Sequence, residues 1–156
     1  MKKLFLLLLV ALLFLWAFIG EGGALRSFYA PTVILPLFLG TFLTTLFSFE
    51  FVEIINAFKD AFTVRVESDK LNSYKISMLV VKNMESSTFF WSLTIVTLGL
   101  IMILAYCESP RELGSSMSVA FLALLFGFGT RAALYIPMEN SLKKKILLAE
   151  NTLNRV

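Results

Sequence analysis

The sequence predicts an all-α integral membrane protein with four transmembrane helices, short cytoplasmic helical extensions, and both termini in the cytoplasm. Three observations carry that expectation. The chain of 156 residues is 58% hydrophobic and only 16% charged, whereas a soluble domain holds roughly 45–50% apolar residues. Its charges are clustered, so long apolar segments alternate with short charged ones, the pattern of lipid-spanning helices. Its basic residues also fall mostly on one side of those segments, as the positive-inside rule requires. The four spans are expected at about 4–20, 31–49, 88–107 and 115–138. A cytoplasmic segment at 50–87 and a tail at 139–156 complete a single membrane domain over 1–156.

Met1-Lys2-Lys3 followed by LFLLLLVALLFLWAFIG has the basic start of a signal peptide. The apolar run is long for one, and no small-x-small cleavage site precedes Glu21. An uncleaved first span is therefore favoured; Leu4 to Gly20 covers about 26 Å at 1.5 Å per residue. Gly22, Gly23 and Pro31 break helix geometry in the short turn that follows. Pro31 suits a first helical position, where its missing N–H is not needed, and Pro36 is expected to kink the second span. Gly40, Thr41, Thr44 and Thr45 give that span a small, weakly polar face suited to close packing.

From Glu50 the character changes. Phe51, Ile54, Ile55, Phe58 and Phe62 recur at helical spacing among polar residues, which predicts an amphipathic continuation of the second helix out of the membrane. VRVESDKLNSYK reads as a polar turn, and KISMLVVKNMESS leads into the third span. Asp60, Glu67, Asp69 and Glu85 show no metal-ligand or acid–base spacing, so a solvated face accounts for them. Ser92, Thr94 and Thr97 interrupt the third span, which Glu108-Ser109-Pro110 ends. Ser115, Ser116 and Ser118 open the fourth span, and Gly127 and Gly129 lie towards its far end. Arg131 falls within the apolar run, where its guanidinium can extend to the interface as an anchor or bind a partner or lipid headgroup. Pro137 and Lys143-Lys144-Lys145 place the end of this span at the cytoplasmic interface. Leu142, Ile146, Ala149 and Leu153 recur at helical steps, so the tail is expected to pack on a neighbour as a helix.

With both termini inside, the inner segments hold Lys2, Lys3, Lys59, Arg65, Lys70, Lys75, Lys82, Lys143, Lys144, Lys145 and Arg155, and the outer turns only Arg26 and Arg111. This asymmetry explains the net charge of +3 without nucleic acid as a partner. A single cysteine, Cys107, excludes an internal disulfide, and the absence of histidine removes histidine metal sites and relays. No nucleophile–base pair or metal cluster is legible in the sequence, so no enzyme and no cofactor is expected.

The hairpin from Thr97 to Lys145 resembles the MotA/TolQ/ExbB proton-channel family, as a short MotA-like protein. Gly99-Leu100-Ile101, Leu104, Glu108-Ser109-Pro110 and Leu113-Gly114 look like the family's steps without gaps. Met117, Val119-Ala120, Leu122, Leu125-Phe126-Gly127, Pro137, Leu142 and Lys143 continue in register. Gly22-Gly23, Phe28, Pro31-Thr32, Gly40-Thr41 and Ser48-Phe49 resemble the turn and second helix upstream. The resemblance implies a homo-oligomer, a pentameric ring in the bacterial inner membrane, whose third and fourth spans line a bore. The bore would hold a single-span MotB/ExbD/TolR-like partner whose carboxylate carries the proton. The lining it implies is Ser92, Val96, Gly99 and Ile103 with Ser116, Ala120, Ala123, Gly127 and Thr130. Thr94 and Thr97 are alternative hydroxyls in a rotated register. Arg131, Lys143, Lys144 and Lys145 are the interface or headgroup residues. Ile95-Val96 stands where the family carries Gly-Thr, and Ala123-Leu124 where it carries threonine, so this lining is drier than the family's. Two functions follow as expectations. One is an ion-channel or stator subunit coupling ion flow to motion of the partner. The other is a non-conducting oligomeric scaffold that grips a partner helix or lipid.

Overall fold

The computed structural model describes residues 31–63, 68–106 and 110–153. The expected first span 4–20, its following turn, Arg65, Glu67, Cys107 and the end of the tail lie outside them. All the described regular structure is helical. Helix α1 is Pro31–Ser48, α2 Phe51–Phe62, α3 Leu71–Tyr106, α4 Pro110–Thr130 and α5 Ile136–Leu153, with a π-helical turn Arg131–Tyr135 joining the last two. Among the described residues three stretches are long and apolar enough to cross a membrane: Pro31–Ser48, Leu71–Ala105 and Met117–Thr152. Their length and apolar character are those of a multi-pass helical membrane protein.

Helix α1 buries Val33, Leu37, Gly40, Thr41 and Thr45, a stripe at helical spacing, and turns Leu35, Phe38, Leu39 and Leu43 outward. The expected unbroken continuation into residues 51–62 does not form. The helix ends at Ser48, and Glu50 restarts the chain with extended dihedrals and a capping box. Glu53 Oε2 accepts the Glu50 N–H at 3.0 Å, satisfying an N-terminal donor that a continuous helix would have bonded internally. The inward stripe of α2 is Ile54, Ala57 and Ala61. Phe51, Ile55 and Phe62, expected on the apolar face, are exposed. The alanines bring the backbone close to its neighbours, and the large side chains are left outside.

Helix α3 begins at Leu71, well before the expected boundary near residue 88, after a 3₁₀ turn at Ser68–Lys70. No glycine or proline interrupts Leu71 to Leu98. Tyr74, Ser77, Val81, Met84, Thr88 and Ser92 form one buried stripe at steps of three and four. Its 36 residues reach about 54 Å at 1.5 Å per residue. Helix α4 starts at Pro110 rather than near residue 115, using proline at the first helical position. Pro137 does not end the rod. The Ile136 N–H reaches back five residues to the Arg131 carbonyl, and this widened turn precedes the residue whose ring would crowd the Ala133 carbonyl. Pro110 to Leu153 is therefore one helical rod of about 65 Å.

The two rods run antiparallel, from Gly99 beside Ala120 to Lys75 beside Glu150, and α3 touches every other helix. At the charged end Ile54, Ala57, Ala61, Tyr74, Val80, Val81, Met84, Tyr135, Met138 and Leu142 form one core. The tail helix packs as its periodicity predicts: Leu142 and Ala149 are buried, and Ile146 lies against the core.

Candidate functional site

In the apolar half, α3 and α4 meet along a seam of small residues. Ser92 Oγ donates to the Ala123 carbonyl at 3.0 Å. Gly127 lies so close that a Cβ there would stand 2.6 Å from Ser92 Oγ and 2.7 Å from Ser92 Cβ. A Cβ on Gly99 would meet that of Ala120 at 3.3 Å. Such backbone approach is how helices associate in lipid, where apolar burial gives no net gain. The structure thus brings Ser92, Gly99, Ala120, Ala123 and Gly127 together, with Ile103 buried at helical spacing on the same face of α3. In the single chain these side chains are covered by one another rather than by an open surface. Val96 and Thr130 are half-buried and Ser116 lies in α4.

The threonine hydroxyls are spent locally. Thr94 donates to Phe90 O at 2.9 Å, Thr97 to Leu93 O at 2.9 Å and Thr130 to Phe126 O at 2.6 Å, the back-bonding usual for threonine inside a helix. Thr94 and Thr97 are nevertheless exposed, so their lone pairs face outward. From Ser86 to Ala105, through α1 and from Leu113 to Thr130, the chain has no Asp, Glu, Lys or Arg. Among the described residues its apolar half supplies no carboxylate or ammonium for proton transfer. Among the described residues no group of three or more Cys, His, Asp or Glu is placed to hold a metal ion.

Sequence reasoning missed the junction between the two halves. Thr41 Oγ1 and Thr88 Oγ1 approach to 3.2 Å, and Thr88 Oγ1 and Tyr135 Oη to 2.8 Å, tying α1, α3 and the π turn together in a buried position. One turn away Arg131 Nε lies 2.6 Å from Glu85 Oε1. Beside them Glu139 Oε1 faces Lys143 Nζ at 3.1 Å and Lys82 Nζ at 4.0 Å. Lys82, Glu85, Ser86, Phe89 and Arg131 line an open cleft of about 330 Å³. No local motif signals this grouping, because its partners come from separate helices.

The three consecutive lysines part company. Lys143 pairs with Glu139, Lys144 is exposed, and Lys145 is buried, turned inward rather than towards a headgroup layer. Its ammonium donates to the Asp60 carbonyl and lies 5.2 Å from the centre of the Tyr74 ring. Asp60 Oδ2 accepts from Ser73 at 3.0 Å and Ser77 at 2.9 Å, and Ser141 donates to Ala61 O at 2.9 Å. These bonds fasten α2 to both rods. The signal for Lys145 was its spacing from Leu142 and Ala149, three and four residues away on the inward face. Comparison with protein-family models, curated proteins and solved structures gives no match.

Proposed function

We propose that the protein is a MotA/TolQ/ExbB-like subunit of an oligomeric ring in the bacterial inner membrane, coupling ion flow to movement of a single-span partner. The observation that carries this reading is the continuity of the two rods. Each is longer than the roughly 30 Å of a bilayer core, so displacement at the membrane reaches the charged end without passing through a loop. The order of the described helices agrees with part of the plan that the hairpin residues resemble: a span, an inner helical segment, two more spans and a basic helical tail. Since the apolar half of the described chain carries no acid, the proton-carrying carboxylate comes from the partner. Thr94 and Thr97 are exposed hydroxyl residues of α3, which favours the rotated register over the seam residues.

A specific observation also favours the non-conducting scaffold: the small residues of the seam are consumed by packing within one chain, and Ser92 spends its hydroxyl there. Proton flux into liposomes holding the purified protein, alone and with candidate single-span partners, separates the two. The channel reading expects flux only with a partner, abolished when the partner's membrane carboxylate is neutralised. A partner that binds without flux leaves the scaffold.

A further inference from the structure

We infer that the cleft between α3 and the π turn binds the phosphodiester of an anionic phospholipid from the leaflet on the α5 side. Position comes first. Glu85 and Arg131 are the last charges before both rods become uncharged, so the cleft lies at the level where headgroups meet hydrocarbon. Its lining then gives the chemistry. Lys82 and Arg131 against Glu85, with the neighbouring Glu139 matched by Lys143 at 3.1 Å, leave one net positive charge, which matches the single negative charge of a phosphodiester.

The disposition of those charges matters as much as their sum. The side chains of Lys82 and Arg131 are 55% and 52% exposed, whereas that of Glu85 is 16% exposed. The cations face outward and the acid is recessed behind Arg131, where it holds the guanidinium in place. Ser86 adds an exposed hydroxyl in the same cleft. Towards the apolar half, Phe89 packs edge-on against Phe128 with ring centroids 5.9 Å apart, and Phe128 is exposed. That pair offers an acyl chain an apolar surface continuous with the polar cleft. A zwitterionic lipid brings its own ammonium and leaves the extra positive charge unmatched. This inference stands whether or not the protein conducts ions.

The test is native mass spectrometry of the full chain titrated with phosphatidylglycerol, phosphatidylethanolamine and phosphatidylcholine. Phosphatidylglycerol is expected to be retained about tenfold more tightly than phosphatidylcholine, the factor that one charge-assisted contact supplies. Lys82→Gln and Arg131→Gln should each remove that preference, and Lys82→Arg should keep it. Arg131→Gln strips Glu85 of its partner and risks the fold. Lys82→Gln does not carry that risk, because Lys82 meets Glu139 only at 4.0 Å. Helicity and elution volume verify the fold of each variant. Equal retention of all three lipids overturns the inference, as does a preference that survives Lys82→Gln. Phosphatidylethanolamine held as tightly as phosphatidylglycerol overturns the anionic class.

Discussion

The charged half and the apolar half of this molecule join helices in opposite ways. At the charged end, Tyr74, Val80 and Val81 of α3, Tyr135 of the π turn and Leu142 of α5 turn inward against the alanines of α2 and are among the most completely buried residues. Along the middle of α3 and α4 small residues, Ser92, Gly99, Ala120, Ala123 and Gly127, take the inward positions beside Ile103, while Phe90, Leu98, Ile101, Leu104 and Phe121 face out. Water explains the first arrangement, since each inward Leu or Val removes apolar area from it. In lipid that gain vanishes, and association rests on close packing and interhelical hydrogen bonds. One continuous rod therefore uses two packing chemistries along its length.

Truncating one leucine in each half gives the largest expected contrast. Leu142→Ala empties a fully buried site in the charged half and should cost about 2–5 kcal/mol. Leu104 is 87% exposed in the apolar half, and Leu104→Ala should change stability by no more than about 0.5 kcal/mol. Unfolding both variants in detergent micelles titrated with dodecyl sulfate measures the difference. Equal losses would mean that Leu104 is covered by something the single chain lacks, and the comparison would have to be redrawn around an assembly.

Adding volume probes the seam from the other direction. In Gly127→Ala the new methyl would stand 2.7 Å from Ser92 Cβ, an atom fixed to the α3 backbone, so the helices must part. About 1–3 kcal/mol should be lost, together with the Ser92–Ala123 hydrogen bond. A methyl placed on Gly129, two residues on, would meet nothing within 4 Å. There alanine should stabilise the helix by up to about 1 kcal/mol. The same titration reads both, and the two signs should differ. A neutral Gly127→Ala would break the claim that the apolar half depends on close approach.

These contrasts also show what was legible in the sequence. The apolar runs of α1, α3 and α4 are long and free of charge, so their existence and class could be read directly. The start of α3 could not, because Leu71-Asn72-Ser73-Tyr74-Lys75 is polar enough to resemble a turn, and its inward stripe makes sense only against α2 and α5. Glu50 and Glu53 carried the signal for the helix break, three residues apart, but lay inside an apolar period that favoured continuity. For the site, the family resemblance placed Ser92 and Gly99 on one face of α3, and Ala120, Ala123 and Gly127 on one face of α4. Periodicity could not say what those faces meet, since spacing assigns a direction and not a neighbour. Glu85 and Arg131 are 46 positions apart in the chain, beyond any local pattern.

The junction tests where one packing chemistry gives way to the other. Tyr135 belongs to the large-residue core of the charged half, yet its hydroxyl meets Thr88 at 2.8 Å, and Thr88 meets Thr41 of the apolar α1. Tyr135→Phe keeps the ring and removes one polar atom, so it should cost only about 1 kcal/mol. Thr88 retains the Met84 carbonyl as acceptor at 2.8 Å, which limits the loss. Thr88→Val is the harsher change, because it leaves the Tyr135 hydroxyl without this partner. A double-mutant cycle on the pair isolates their coupling. Interhelical hydrogen bonds in membranes average about 0.6 kcal/mol in such cycles, and a coupling of that size would assign the junction to the apolar half. A coupling well above about 1.7 kcal/mol, the upper end for membrane helices, would make the three hydroxyls a polar anchor of the charged half, and would move the boundary between the two chemistries outward along α3 to Ser92.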